Sequence, residues 1–281
     1  MPHPITLSPC HPVTLSPCQK GVPMPETFPL DQLSRIAAAL ALVALAAIIS
    51  RWQKLDLEKD ILTASVRAFI QLIAIGYALT LIFAIDNPPA ILFLLTVMTL
   101  IAGYTSGKRG RGVPHSGRVA LMSISFGAAL TLGLLVALGV FKFSAQQIIP
   151  IAGMVIGNSM NVCSLVMGRV RDEVNGRAAE IEAALALGAT GRQASHPYLR
   201  AALHAGMTPI VDSTKTVGLI QLPGAMTGMI LAGASPLEAV QLQIIVMYML
   251  IGAAAFTGLA GVWLTYRQFF TANQQLILPS M

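Results

Sequence analysis

Seven apolar runs, nearly free of charge, limit this chain more than any motif does. They lie at about 32–50, 64–85, 89–105, 118–141, 147–168, 213–233 and 242–266. A segment of roughly 20 apolar residues crosses a bilayer. There the backbone can be satisfied only in a helix or a closed barrel. The runs are continuous rather than alternating, so helices are expected. Composition agrees: 55% of the 281 residues are hydrophobic and 11% are charged, against about 25% charged in soluble domains. The expected fold is an all-α, multi-pass protein of the inner or plasma membrane, with about seven transmembrane helices.

The charges that remain set an orientation. Arg51, Lys54 and Lys59 follow the first run, and Lys108, Arg109, Arg111 and Arg118 follow the third. Arg169, Arg171, Arg177, Arg192 and Arg200 follow the fifth, and Arg267 follows the seventh. The alternate loops hold Asp86, Lys142 and Glu238. Cytoplasmic loops carry the excess of Lys and Arg. All basic loops share that side if the N-terminus is outside and the C-terminus cytoplasmic. The net charge of +6 is then a topology signal. The basic loops lack the interleaved aromatics on which bases stack, so no nucleic-acid partner is expected.

Residues 3–10 and 11–18 form an octapeptide repeat, HPITLSPC and HPVTLSPC. Pro-rich sequence of low complexity cannot bury a core. Residues 1–30 are therefore expected to be a disordered tail, with 1–23 an over-extended start and Met24 the initiator. The repeat's His and Cys spacing matches no zinc pattern, and the tail lacks the basic region of a cleaved signal peptide. The first span is expected to stay as an anchor. Beyond the tail only Cys163 remains, and it implies no disulfide framework.

The body of the chain is expected at 31–267, with a cytoplasmic tail at 268–281. Its fifth run places Gly153, Gly157, Ser164 and Gly168 on one stripe, where small residues let helix backbones approach. Asn158 and Asn161 are costly in a membrane. They either hydrogen-bond between helices or line the path of a solute. Met154, Met160, Cys163 and Met167 are soft donors, but they scatter around the helix, and Met often fills core gaps. No metal ligand is assigned. The sixth run opens with Asp212 and Lys215, an i,i+3 pair at the cytoplasmic boundary that serves as a structural ion pair or a gate. Gln221 follows, then Pro223, Gly224 and Gly228. A proline kink beside a GxxxG face makes a candidate hinge.

The loop at about 169–211 is the longest polar connection. Gly176 to Leu187 has helical composition, Gly188 suits a helix end, and 193–204 can form a second helix with Pro197 in its first turn. Within this loop the stretch EAALALGAT, Glu182 to Thr190, resembles the EAA coupling loop of ABC-transporter permeases. That resemblance implies that Glu182, Ala183, Ala184, Gly188 and Ala189 dock into a separate ATPase subunit.

No motor is visible in the chain itself. GYTSGKR, Gly103 to Arg109, has one residue too few between its glycines for a P-loop and no Ser or Thr after Lys108. His115, His196 and His204 stand as isolated loop residues. No carboxylate falls mid-span, which argues against a proton-coupled carrier.

GMVIGNSMNV from Gly153, EAALALGAT from Glu182, DSTKTVGLIQLPGAMTGMI from Asp212 and GASPLEAVQLQIIVMYML from Gly233 together resemble the FetB-type permeases. These are bacterial subunits linked to iron export, with plant relatives associated with aluminium tolerance. The match is specific from about Ile149 to Phe270 and looser in the N-terminal half. It implies a homodimer of permease chains, a separate ABC ATP-binding subunit that carries ATP and Mg, and export of iron or another metal. The chain itself is expected to bind no cofactor and to be no enzyme. Plant relatives are associated with nucleotide sugars, so an ABC permease for a nucleotide sugar stays open, as does an ion-gradient-driven secondary transporter. Where importers continue to an I-x-L-P ending, this chain has Met207-Thr208-Pro209-Ile210, so the motif does not set direction.

Overall fold

The computed structural model describes residues 30–54, 57–85, 87–271 and 273–277. The octapeptide repeat and Met24 lie outside them. The described residues form nine helices, with no strand beyond two isolated bridges, Val217 to Gln221 and Phe270 to Leu276. The helices are α1 (Leu30–Trp52), α2 (Glu58–Ile85), α3 (Pro88–Arg109), α4 (Ser116–Ala137), α5 (Ala145–Gly176), α6 (Ala178–Ala186), α7 (Gly191–Thr216), α8 (Gly224–Leu231) and α9 (Pro236–Gln268). Five are long and apolar enough to cross a membrane: α2, α3, α4, α5 and α9. A shorter apolar stretch, Ala37–Trp52, lies in α1. The chain is a multi-pass membrane protein.

It divides into two units, Met1–Gly76 and Tyr77–Met281. In the first, α1 and the start of α2 leave their apolar side chains outside, Leu42 and Leu72 among them. The turn between them is held by Leu57 N–H donating to Ser50 Oγ at 3.3 Å.

In the second unit α5 is the central post, in contact with α3, α4, α7 and α9. Lipid tails are as apolar as leucine, so close packing and buried polar contacts must hold such helices together. Both are present. An added Cβ on Gly107 of α3 would lie 2.6 Å from Gly117 Cα of α4, so the two backbones meet where no side chain fits. The Thr257 hydroxyl of α9 donates to Ser159 of α5 at 3.0 Å, fully buried. The Ser164 and Ser106 hydroxyls bond at 3.0 Å. The stripe expected on α5 packs differently. A Cβ on Gly157 or Gly168 would meet nothing within 4 Å. The close approaches come instead from glycines of neighbouring helices, because the wide side chains of α5 (Val155, Val162, Val166) face inward.

The expected sixth span, 213–233, is not one helix. α7 ends at Thr216, residues 217–223 turn back with Gly218 N–H donating to the Gln221 carbonyl at 2.9 Å, and α8 starts at Gly224. Gly218 (φ +82°) and the extended Pro223 (φ −63°, ψ 148°) make the break. Part of that run belongs to α7, which begins twenty-two residues earlier and, among the described residues, is not one of the five helices apolar enough to cross a membrane. Its 26 residues rise about 39 Å, more than the roughly 30 Å of hydrocarbon.

Candidate functional site

α7 runs antiparallel to both α5 and α9. A Cβ on Gly206 would stand 2.3 Å from Val166 Cγ2 of α5, and one on Gly258 of α9 would stand 2.9 Å from Leu203 Cδ1. Further along, Thr214 shares a hollow with Gln243 and Met247 of α9. A rise in number on α7 matches a fall on α9. α7 therefore joins the two ends of the bundle.

At its first end lies the helix–turn–helix expected from composition. α6 is anchored by Ile181, which is fully buried. The turn uses Gly188 at φ +89°, a conformation that favours glycine. Thr190 then caps α7 in a capping box with Gln193: the Thr190 hydroxyl accepts from Gln193 N–H, and the Gln193 side chain accepts from Thr190 N–H. This box starts the helix at Gly191, so Pro197 falls in the second turn rather than the first. The Tyr198 hydroxyl donates to Glu180 at 2.6 Å, and Arg177 pairs with the other Glu180 oxygen at 2.8 Å. The Tyr198 hydrogen bond, then Arg177, holds the Glu180 carboxyl below its ordinary range.

The chain's end braces the knob. Gly191 N–H donates to Gln274 Oε1 at 2.7 Å, and a Cβ on Gly191 would strike the Phe270 ring at 2.7 Å. Glu182, Ala183, Gly188 and Leu187 face outward, with Ala184 and Ala189 half-buried beneath them. Leu187 is 90% exposed, an apolar tip that sequence reading did not single out, because any Leu in an Ala-rich helix looks like core.

The same end gathers basic side chains. Arg171 donates to the Arg111 carbonyl and to Asp172. Arg109 donates to Asn161 Oδ1 at 3.1 Å. Arg267 lies 3.9 Å over the Trp263 ring, a cation–aromatic pair suited to a membrane interface. Gly103 to Arg109 is continuous helix and offers no phosphate-cradling loop.

The candidate path residues separate into two sets. On α5, Asn158 Nδ2 donates to the Leu250 carbonyl of α9 at 3.0 Å, and Asn161 accepts from Arg109. Both asparagines are tied to other helices. On α7, Asp212 and Lys215 pair only with each other, at 3.2 Å, with both side chains more than half exposed. They lie about 30 Å along the helix from Gly191, at the end opposite the knob and not beside it as their place in the sequence implies. Gln221 sits exposed in the turn beyond them. The candidate hinge also changes character. Pro223 caps α8 instead of kinking a longer helix, and a Cβ added to Gly224 or Gly228 would meet nothing within 4 Å among the described residues.

Sequence reading missed more of α7. Arg200, His204 and Thr208 share a face with Asp212 and are exposed. The four-residue spacing was the available signal, hidden while His204 counted as a loop residue. Among the described residues no group of three or more His, Cys, Asp or Glu could hold a metal ion.

The chain is similar to "UPF0014 membrane protein STAR2" of Oryza sativa subsp. japonica, 47% identical over 85% of this chain and 84% of the relative. It is similar to "Protein ALUMINUM SENSITIVE 3" of Arabidopsis thaliana, 48% identical over 85% of this chain and 88% of the relative. It also resembles "Probable iron export permease protein FetB" of Escherichia coli (strain K12), 39% identical over 88% of this chain and 95% of the relative. No solved structure matches it. The model of the Uncharacterised protein family (UPF0014) matches residues 33–270, nearly the whole described body, and the chain belongs to that family of membrane proteins.

Proposed function

We propose that this chain is the permease subunit of an ABC transporter, working as a homodimer with a separate ATP-binding subunit that carries ATP and Mg. One observation supports this above the others: α7 starts in an exposed helical knob and runs without interruption to Asp212 and Lys215 at the far end. Force applied to the knob has a rigid lever to travel along. The outward face of the knob, Glu182, Ala183, Leu187 and Gly188, docks into the partner, with Ala184 and Ala189 packing beneath it. Closure of the two ATPase subunits presses on that face, and α7 tilts against α5 and α9. The Gly206 contact with Val166 is the fulcrum, since neither side has a flexible group to yield. The knob lies on the cytoplasmic side, which puts the clustered arginines there too and agrees with the excess of basic residues in cytoplasmic loops. α1, α2, α3, α4, α5, α7 and α9 are then the seven crossings, and the C-terminus is cytoplasmic. The solute is iron or another metal, moved outward, a reading that rests on the name borne by the Escherichia coli relative.

Affinity purification in mild detergent tests the reading. A Walker-containing ATPase subunit is expected to come with the wild-type chain and to be lost from the Glu182→Arg and Gly188→Arg variants. Retention of that subunit by both variants would sink the docking face.

A further inference from the structure

α7 lies lengthwise on two apolar crossing helices, yet carries Arg200, His204, Thr208, Asp212 and Lys215 along one exposed face. At membrane depth a charged side chain must face protein or water, because lipid cannot solvate it. Depth is set by the neighbours. Leu203 packs at the level of Gly258, and Gly206 at the level of Val166, both well inside their helices. Thr208 lies past that level, and Asp212 a turn further. Among the described residues only those of α7 line the groove along this face, which has a volume of about 370 Å³. Thr214, next to Lys215, lines a second hollow of about 360 Å³. There the buried side chain of Gln243 leaves its Oε1 without a hydrogen-bond partner among the described residues, but the two hollows share no lining residue. Another cavity of the second unit is different in kind. Between α3, α4 and α5, it holds about 700 Å³ and is walled by Leu92, Leu95, Leu121, Leu132 and Ile148, a lining that suits acyl chains.

We infer that the outward face of α7 is the wall of an aqueous route through the membrane region, from Arg200 past His204 and Thr208 to Asp212 and Lys215, and that it takes a hydrated, polar solute. The inference rests on the permease reading above and names its route. The asparagines of α5 are tied to α9 and α3 instead.

Cysteine labelling in native membrane vesicles tests this, with the full chain carrying Cys10, Cys18 and Cys163 replaced by Ser. Single cysteines are placed by Thr208→Cys and His204→Cys, and by Met122→Cys and Leu259→Cys on the apolar surface of α4 and α9. The probe is the anionic, membrane-impermeant reagent methanethiosulfonate ethylsulfonate. The reacting thiolate forms readily only where water solvates it, so the α7 positions are expected to react roughly tenfold faster or more. Equal, slow labelling of all four positions would overturn the route. If the triple-Ser background does not fold, Cys163 is kept, because it is fully buried, and its labelling is subtracted. Labelling needs neither ATPase nor solute. Slow labelling with the ATPase still bound removes the route alone. Fast labelling with no ATPase bound removes the subunit reading and leaves the route.

Discussion

α5 and α7 lie side by side, and each brings polar residues into a membrane body, but they use them differently. α5 has buried valines and an inward Met167, and both of its asparagines are committed to other helices. α7 has few buried residues, two internal prolines and a charged face whose groove, among the described residues, is lined by α7 alone. Polar groups in a membrane can therefore serve as glue or as lining, and residue type does not tell which. The partner decides. A side-chain amide 3.0 Å from a carbonyl on the next helix is glue. A carboxylate paired, among the described residues, with a lysine on its own helix ties no two helices together.

The largest expected effect breaks the contact between the two helices. Gly206→Leu is expected to abolish folding, and Gly206→Ala to cost about 1–3 kcal/mol through overpacking, because the struck atom is a methyl of a stiff, β-branched valine. Thermal denaturation in detergent checks it, and an unchanged midpoint would mean that α7 does not pack there.

A smaller effect sharpens the contrast between glue and lining. Asn158→Ala is expected to cost about 1 kcal/mol, the scale of an interhelical hydrogen bond in a membrane. Asp212→Asn is expected to leave the melting temperature in place and lower solute flux in vesicles. The reverse pattern, with Asp212→Asn destabilising and Asn158→Ala neutral, would exchange the two roles.

The smallest effect concerns the knob where α7 starts. The Glu180 carboxyl is held low by Tyr198 and Arg177, so the folded knob binds its proton less readily than the unfolded chain does. Its contribution is fully present above the ordinary value of 4.5 and is lost as pH falls through the lower folded value. Hydrogen exchange in α6 should rise as pH is lowered through that window, after correction for intrinsic rates, and Glu180→Gln should flatten the dependence. All three groups are exposed, so water screens the effect.

Much of the helical body was legible in the sequence. The runs that became α3, α4, α5 and α9 are continuous and apolar, and α6 with its glycine turn follows from Ala-rich composition and Gly188. α7 was not legible, because its length is split. Its first half is expected as a separate short helix at 193–204, and its last turn falls in the apolar run at 213–233 together with α8. The Thr190 capping box marks where it starts, but nothing local says that it continues past His204 and through Pro209. Helices tolerate internal prolines when neighbours hold them in place, and α5 and α9 supply that support from far away in sequence. For the same reason the distance between Asp212 and the knob is not legible in the sequence.

The sequence by itself determined that this is a helical membrane protein, where its basic loops fall, and that a capped knob interrupts its apolar runs. These follow from rules that act over a few turns: the apolar length a bilayer demands, the bias of Lys and Arg, and the need to satisfy helix ends. Only the tertiary structure decided that α7 is the helix joining the knob to the far end, that Asn158 and Asn161 are already bonded, and that the charges of α7 face away from the packed core. Those facts depend on which surfaces meet, through contacts such as Gly206 with Val166 that join residues 40 positions apart.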